Sequence, residues 1–161
     1  MTHADESLAP EPASGDAARS ASESALRMLT GREHSAHELK RKLAARGHAR
    51  ETVERVVEGL AERELVSDGR FVDAFVRSRI ERGHGPIRIR AGLRERGVDD
   101  ALIEEAVTQS AAFWLERIER VRAKKFGAHV ADHGEWTKQA RFLSQRGFPS
   151  DLIYRALGSR D

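Results

Sequence analysis

Apolar residues recur along this chain at helical spacing, in short segments that come in pairs. Val53, Val56, Val57 and Leu60 share one face of a helix, as do Leu102, Ile103, Ala106 and Val107, and Leu152, Ile153, Ala156 and Leu157. Before each lies the same helix-ending signature: Leu43-x-x-Arg46-Gly47-His48, Leu93-x-x-Arg96-Gly97-Val98 and Leu143-x-x-Arg146-Gly147-Phe148. The offset is 50 residues both times, so the chain is an internal repeat. Gly in this place suits the left-handed residue that ends a helix, with the residue after it packing back on the Leu. Val98 and Phe148 suit that contact; His48 is a weaker partner.

Start signals agree with these ends. Ser35 and Glu38 form a capping box ahead of Leu39 and Leu43, and Gly85-Pro86 places Pro in the first turn of the segment holding Ile89 and Leu93. Asp99 or Asp100 can cap the helix that follows. A third helix precedes each pair, over roughly 23–29, 71–80 and 111–126, carrying Leu26 and Leu29; Phe71, Phe75, Val76 and Ile80; and Trp114, Leu115, Ile118 and Val121. No alternating strand pattern competes. The fold expected is all-α: an elongated, curved array of three tandem three-helix repeats over 23–62, 63–110 and 111–161.

Composition narrows the chemistry. The sequence has no cysteine, which excludes disulfides, thiolate metal sites and cysteine nucleophiles. No apolar run approaches a membrane span. Residues 1–22 carry four acids, one Arg and two Pro, with few large apolar side chains, and read as a disordered acidic tail without a secretory leader. The cytoplasm is the expected place. That tail has a net charge of −3 within an overall +2, so the remainder carries +5.

The stretch 77–96 alone holds seven Arg against two Glu. Arg77, Arg79, Arg88, Arg90 and Arg94 there, with Lys40 and Lys42 in the first repeat and Arg141 in the third, read as a basic stripe for DNA phosphates or an acidic protein surface. A solvated charged face is the plain alternative. Arg46, Arg96 and Arg146 read as helix-end cations, and Gly47, Gly97 and Gly147 as structural C-caps. His129 and His133, four apart between Gly127 and Gly134, read as a connector and not a metal site; His34 and His37 read as a surface helix start. No phosphate loop, nucleophile elbow or dinucleotide fingerprint is present, so no enzyme, cofactor or metal is expected.

The run Leu65-Val-Ser-Asp68-Gly-Arg70-Phe71-Val-Asp-Ala-Phe75-Val-Arg77-Ser-Arg79, followed by Gly85-Pro86-Ile-Arg88-Ile89-Arg90-Ala-Gly-Leu93-Arg94-Glu-Arg96-Gly97-Val98-Asp, resembles the RecX family of regulatory proteins. The resemblance spans about 24–158; Gly92 and His48 depart from it, standing where a large polar residue, commonly Glu, and an apolar residue are usual. It implies a non-enzymatic modulator of the RecA recombinase, in DNA repair, homologous recombination and the SOS response. Such a protein would bind as a monomer in the groove of the RecA–DNA filament and lower ATPase, strand-exchange and co-protease activity. Single-stranded DNA is a further partner attributed to some members, and the basic stripe is where either partner would sit. The rival reading is a helix-turn-helix-like DNA-binding regulator acting without RecA.

Overall fold

The structure, a computed structural model, describes residues 14–127 and 129–158. Among these there are nine helices and no strand: α1 Ser14–Gly31, α2 Ala36–Ala45, α3 Arg50–Glu62, α4 Asp68–Glu81, α5 Pro86–Glu95, α6 Asp100–Val107, α7 Ala111–Phe126, α8 His133–Gln145 and α9 Ser150–Leu157. They form three tandem three-helix repeats. By compactness the chain divides after Asp68, the first repeat forming one unit and the second and third together another.

The three predicted helix ends have one geometry. His48 N–H donates to the Leu43 carbonyl (3.3 Å) and Gly47 N–H to Ala44 (3.0 Å); Val98 and Gly97 do the same to Leu93 and Arg94 (3.2 and 3.0 Å), and Phe148 and Gly147 to Leu143 and Ser144 (3.2 and 3.0 Å). This is the Schellman pattern, and φ is +90°, +69° and +94° at the three glycines. Two more helices end the same way. α4 uses Gly83 (φ 82°), and α3 uses Glu64, a non-glycine held at φ 57°.

In the first unit Leu39 and Leu43 of α2 meet Val53, Val57 and Leu60 of α3, with Val66 beneath. α1 differs from expectation. It starts at Ser14, so the disordered tail expected over 1–22 does not extend past that residue, while 1–13 lie outside the described residues. Its buried face is Ala21, Ser24 and Ala25, not the leucines; Leu26 is 39% exposed and Leu29 only half-buried. Small side chains let α1 approach its neighbours closely, and Ala-rich sequence favours helix. The Arg46 guanidinium donates to Ser24 Oγ (2.9 Å), tying α1 to the end of α2.

Start signals held in part. Ser35 Oγ accepts from Glu38 N–H (3.0 Å), and Asp68 Oδ1 accepts from Ala36 N–H (2.8 Å). Asp99 stands at the N-cap of α6 without capping it through its side chain, and the Asp100 carboxylate turns instead to Arg94. His34, expected at the surface, is 3% exposed. Its Nδ1–H donates to the Arg32 carbonyl (3.0 Å), which leaves Nε2 to accept from Lys42 Nζ (3.1 Å). Burial, joined by the nearby cations, lowers its pKa.

The second unit has one core shared by two repeats. Phe71, Val72 and Phe75 of α4, Ile89 and Leu93 of α5 and Ile103 and Val107 of α6 pack with Trp114, Ile118, Leu143, Phe148, Leu152 and Ile153. Burying each side chain of this size stabilises by about 1.5–3 kcal/mol. The third repeat's helix-end turn also docks on the start of α5. Gly85 N–H donates to the Arg146 carbonyl (2.7 Å) and Ile87 N–H to the Gly147 carbonyl (2.9 Å). Both are N–H groups that a helix start leaves unpaired. A Cβ on Gly147 would stand 2.4 Å from Arg88 Cβ, so the glycine is needed for close approach as well as for φ.

Candidate functional site

Half of the residues expected in the basic stripe are occupied within the repeats. Lys40 Nζ lies 2.8 Å from Glu54 Oε2, and Arg90 Nε lies 2.7 Å from Glu104 Oε1 with a second contact at 3.4 Å. The two pairs are the same strut, fifty residues apart, each linking the second helix of a repeat to the third. The corresponding positions of the third repeat are Ala140 and Tyr154, so the strut is not repeated there. Hydrogen bonds from Lys40 and Arg90 hold the Glu54 and Glu104 carboxyls below their usual range. Arg94 faces Asp100 at 3.3 Å, and Lys42 Nζ is 4.0 Å from Glu38 as well as bonded to His34. Arg77 and Arg141 are exposed and have no carboxylate within ion-pair distance among the described residues.

The cations without acids gather elsewhere. Arg79, Arg82, Arg88 and Arg146 surround His84, brought together by the left-handed turns at Gly83 and Gly147 and the start of α5. The Arg146 guanidinium donates to the Arg82 carbonyl (3.1 Å) and lies 5.0 Å over the Phe142 ring. Arg79 and Arg96 lie 4.4 and 4.8 Å over the Phe75 ring. None of Arg79, Arg82 and Arg88 has a carboxylate within ion-pair distance among the described residues.

His84 reports the resulting field. Burial first, then Arg88, Arg79, Arg146 and Arg82, lowers its pKa from 6.5 to about 4. Its Nδ1 is buried without a partner. Burial and the neighbouring Arg82, Arg96 and Arg88 also lower the pKa of Arg79. Like charges held this close repel, and the repulsion is relieved when an anion binds. Guanidinium groups suit that purpose, because their planar forks match carboxylate and phosphate oxygens.

Gly92 makes room for the Phe75 ring. A Cβ there would stand 2.8 Å from Phe75 Cζ, so the small residue lets the ring take the place in which it meets Arg79 and Arg96.

The structure therefore brings Arg79 and Arg88 of the expected stripe together, and adds Arg82, one of the seven Arg of 77–96, and Arg146, whose expected role is that of a helix-end cation. The signal for Arg82 was present: Arg82-Gly83-His84 is a further Arg-Gly helix end like Arg46-Gly47-His48. His129 lies in the connector before α8 and His133 begins that helix, so the two are not on one helical face. Among the described residues no three of His, Asp and Glu converge as metal ligands would.

Comparison with known proteins decides the family. The model of the RecX first three-helix domain matches residues 21–60, that of the second 67–107 and that of the third 115–157. The chain belongs to the RecX family. A regulatory protein RecX of Halorhodospira halophila is 46% identical over 148 residues, covering 91% of this chain and 92% of that protein. One from Pseudomonas putida strain GB-1 is 43% identical over 138 residues, covering 85% and 88%. Among solved structures, RecX from Lactobacillus salivarius superposes with a TM-score of 0.75 at 20% identity, over 88% of this chain and 95% of that one. A second, titled as a regulatory protein RecX, gives 0.77 at 25% identity, over 96% and 77%. These RecX relatives are named as regulators and not as enzymes. No helix among the described residues is long and apolar enough to cross a membrane.

Proposed function

We propose that this protein is a modulator of the RecA recombinase that binds, as a monomer, in the groove of the RecA–DNA filament. It catalyses no reaction of its own, acts in the cytoplasm, and lowers ATP hydrolysis, strand exchange and co-protease activity. Family membership supplies the partner. The observation that carries the binding mode is the cluster of Arg79, Arg82, Arg88 and Arg146 around His84, none of them in an ion pair among the described residues. A RecA–DNA filament offers carboxylates and phosphates to such a cluster, and contact with its single-stranded DNA is part of this reading. Four guanidinium groups relieved of mutual repulsion gain more from such a surface than four already neutralised ones would.

Charge speaks against the rival reading as a DNA-binding regulator acting alone. The second helix of a helix-turn-helix enters the major groove. Here the helices in that position carry Glu51, Glu54, Glu58 and Glu62 against Arg50 and Arg55 in α3, Asp100, Glu104 and Glu105 with no cation in α6, and one charge of each sign in α9. None of the three is a basic helix of the kind that phosphate attracts.

Co-sedimentation with RecA filaments on single-stranded DNA tests the assignment. The triple change Arg79→Glu, Arg82→Glu, Arg88→Glu is expected to weaken binding at least tenfold. Changing Arg90→Glu and Arg94→Glu, whose charges are already paired, is expected to weaken it far less. Equal losses in both variants would remove the cluster from the account.

A further inference from the structure

Next to His84, sharing Arg82 and Arg146 with the arginine cluster and wholly within the second unit, lies a groove of about 1130 Å³. One wall is α4, which contributes Gly69, Val72, Asp73, Val76, Arg77 and Ile80, a single helical face about 16 Å long. The opposite wall is α7, where Arg117, Arg120, Val121, Lys124 and Lys125 fall on one face over about 12 Å. Leu102 and Ala106 of α6 and Phe142 of α8 complete an apolar floor with Val76, Ile80 and Val121. These apolar side chains are only partly buried, in a chain whose residues are 34% charged.

Shape and charge together select the occupant. The trough is larger than the roughly 300–1,000 Å³ of ordinary small-molecule sites. It is about as long as three helical turns, and an aliphatic floor between two helices is the setting in which an amphipathic helix docks. Its lining holds seven cations against three acids. Four of the cations lie on the α7 wall, where Arg117 and Arg120 share Glu116 and Lys124 and Lys125 have no ion-pair partner among the described residues; on the α4 side Arg77 and Arg82 offset Asp73 and Glu81, and Glu105 lies on α6. A polynucleotide backbone would meet those acids and a floor with one aromatic ring, which suits phosphates and bases poorly. A helix with unlike flanks meets no such conflict.

We propose that this trough receives a three-turn amphipathic helix of the protein partner, apolar on its inner face, acidic on the flank against Lys124 and Lys125 of α7, and without net charge on the flank against α4. The inference rests on the proposed function in one respect, that the partner is the recombinase.

The test places a benzophenone-bearing phenylalanine at Gln109, an exposed residue at the lip of the groove. The full-length protein is photolysed with RecA filaments on single-stranded DNA, and the adducts are mapped by mass spectrometry. The adduct expected is a RecA segment with apolar residues at i, i+3, i+4 and i+7 and carboxylates along one edge. Its yield is expected to fall at least fivefold in Lys124→Glu with Lys125→Glu, and in Ala106→Trp, which fills the floor. Tryptophan-monitored melting of each variant shows that the second unit is folded. An adduct to DNA, or to a segment without that pattern, overturns the proposal, as does a yield unchanged in both variants. Co-sedimentation without any adduct overturns the groove alone. Failure to co-sediment overturns the RecA reading itself.

Discussion

Replacing Gly147 with Ala isolates the docking of the third repeat on the second. Gly147 and Gly47 occupy equivalent turns with nearly the same φ, +94° and +90°. A methyl group on Gly47 meets nothing within 4 Å, so Gly47→Ala costs only the left-handed conformation, about 1–2 kcal/mol. On Gly147 the same methyl would stand 2.4 Å from Arg88 Cβ and 2.6 Å from Arg88 N. Relief requires the turn to move off α5. That movement breaks the bonds from Gly85 and Ile87 N–H, each contributing about 1 kcal/mol net. The expected loss for Gly147→Ala is therefore about 3–4 kcal/mol. For a domain of about ninety residues this lowers Tm by more than about 10 °C, at roughly 4–8 °C per kcal/mol. Both tryptophans of the sequence, Trp114 and Trp136, lie in the second unit, so tryptophan fluorescence follows that unit alone. Circular dichroism follows the helices of both. Converted to free energy, because a smaller domain shifts further per kcal/mol, Gly147→Ala should cost the second unit at least twice what Gly47→Ala costs the first, the one read by fluorescence and the other by dichroism. Equal free-energy losses would refute the docking.

Three further outcomes follow from the site. His84 gains its proton near pH 4 in the folded protein and near 6.5 when unfolded. The unfolded state thus binds more protons between those values, and stability falls as pH drops from about 6.5 to about 4; His84→Gln should flatten that part of the fluorescence-monitored profile, and an unchanged slope would contradict the assignment. Binding of an anionic partner should raise the His84 pKa from about 4 toward its ordinary value, read from its ring protons by NMR in the presence of oligo-dT, and no movement on saturation would place the anion elsewhere. Arg90→Glu should lower the melting temperature modestly, and adding Glu104→Arg should restore most of it, because the strut survives inversion; no restoration would mean the pair contributes nothing.

What the sequence revealed is what local rules govern. The turns at Gly47, Gly97 and Gly147 are decided within six residues, and the apolar residues of α3, α6 and α9 by helical period, so these elements were legible. The end of α3 was not, because Glu64 takes the left-handed place with no glycine to mark it. The buried face of α1 was missed because alanine and serine carry little hydrophobic signal, while Leu26 and Leu29 carry a strong one. The stripe was read from charge alone. Whether a cation is free depends on partners fourteen residues away, as with Lys40 and Arg90, and no helical period reports that spacing. The cluster around His84 needs Arg146 beside Arg82, sixty-four residues distant, a proximity only the packed second unit supplies.

The most direct measurement is ATP hydrolysis by RecA on single-stranded DNA, with this protein titrated in. A dose-dependent fall in rate is expected, weakened by rising salt and by Arg79→Glu with Arg82→Glu. A rate unchanged at protein concentrations equal to RecA would contradict it.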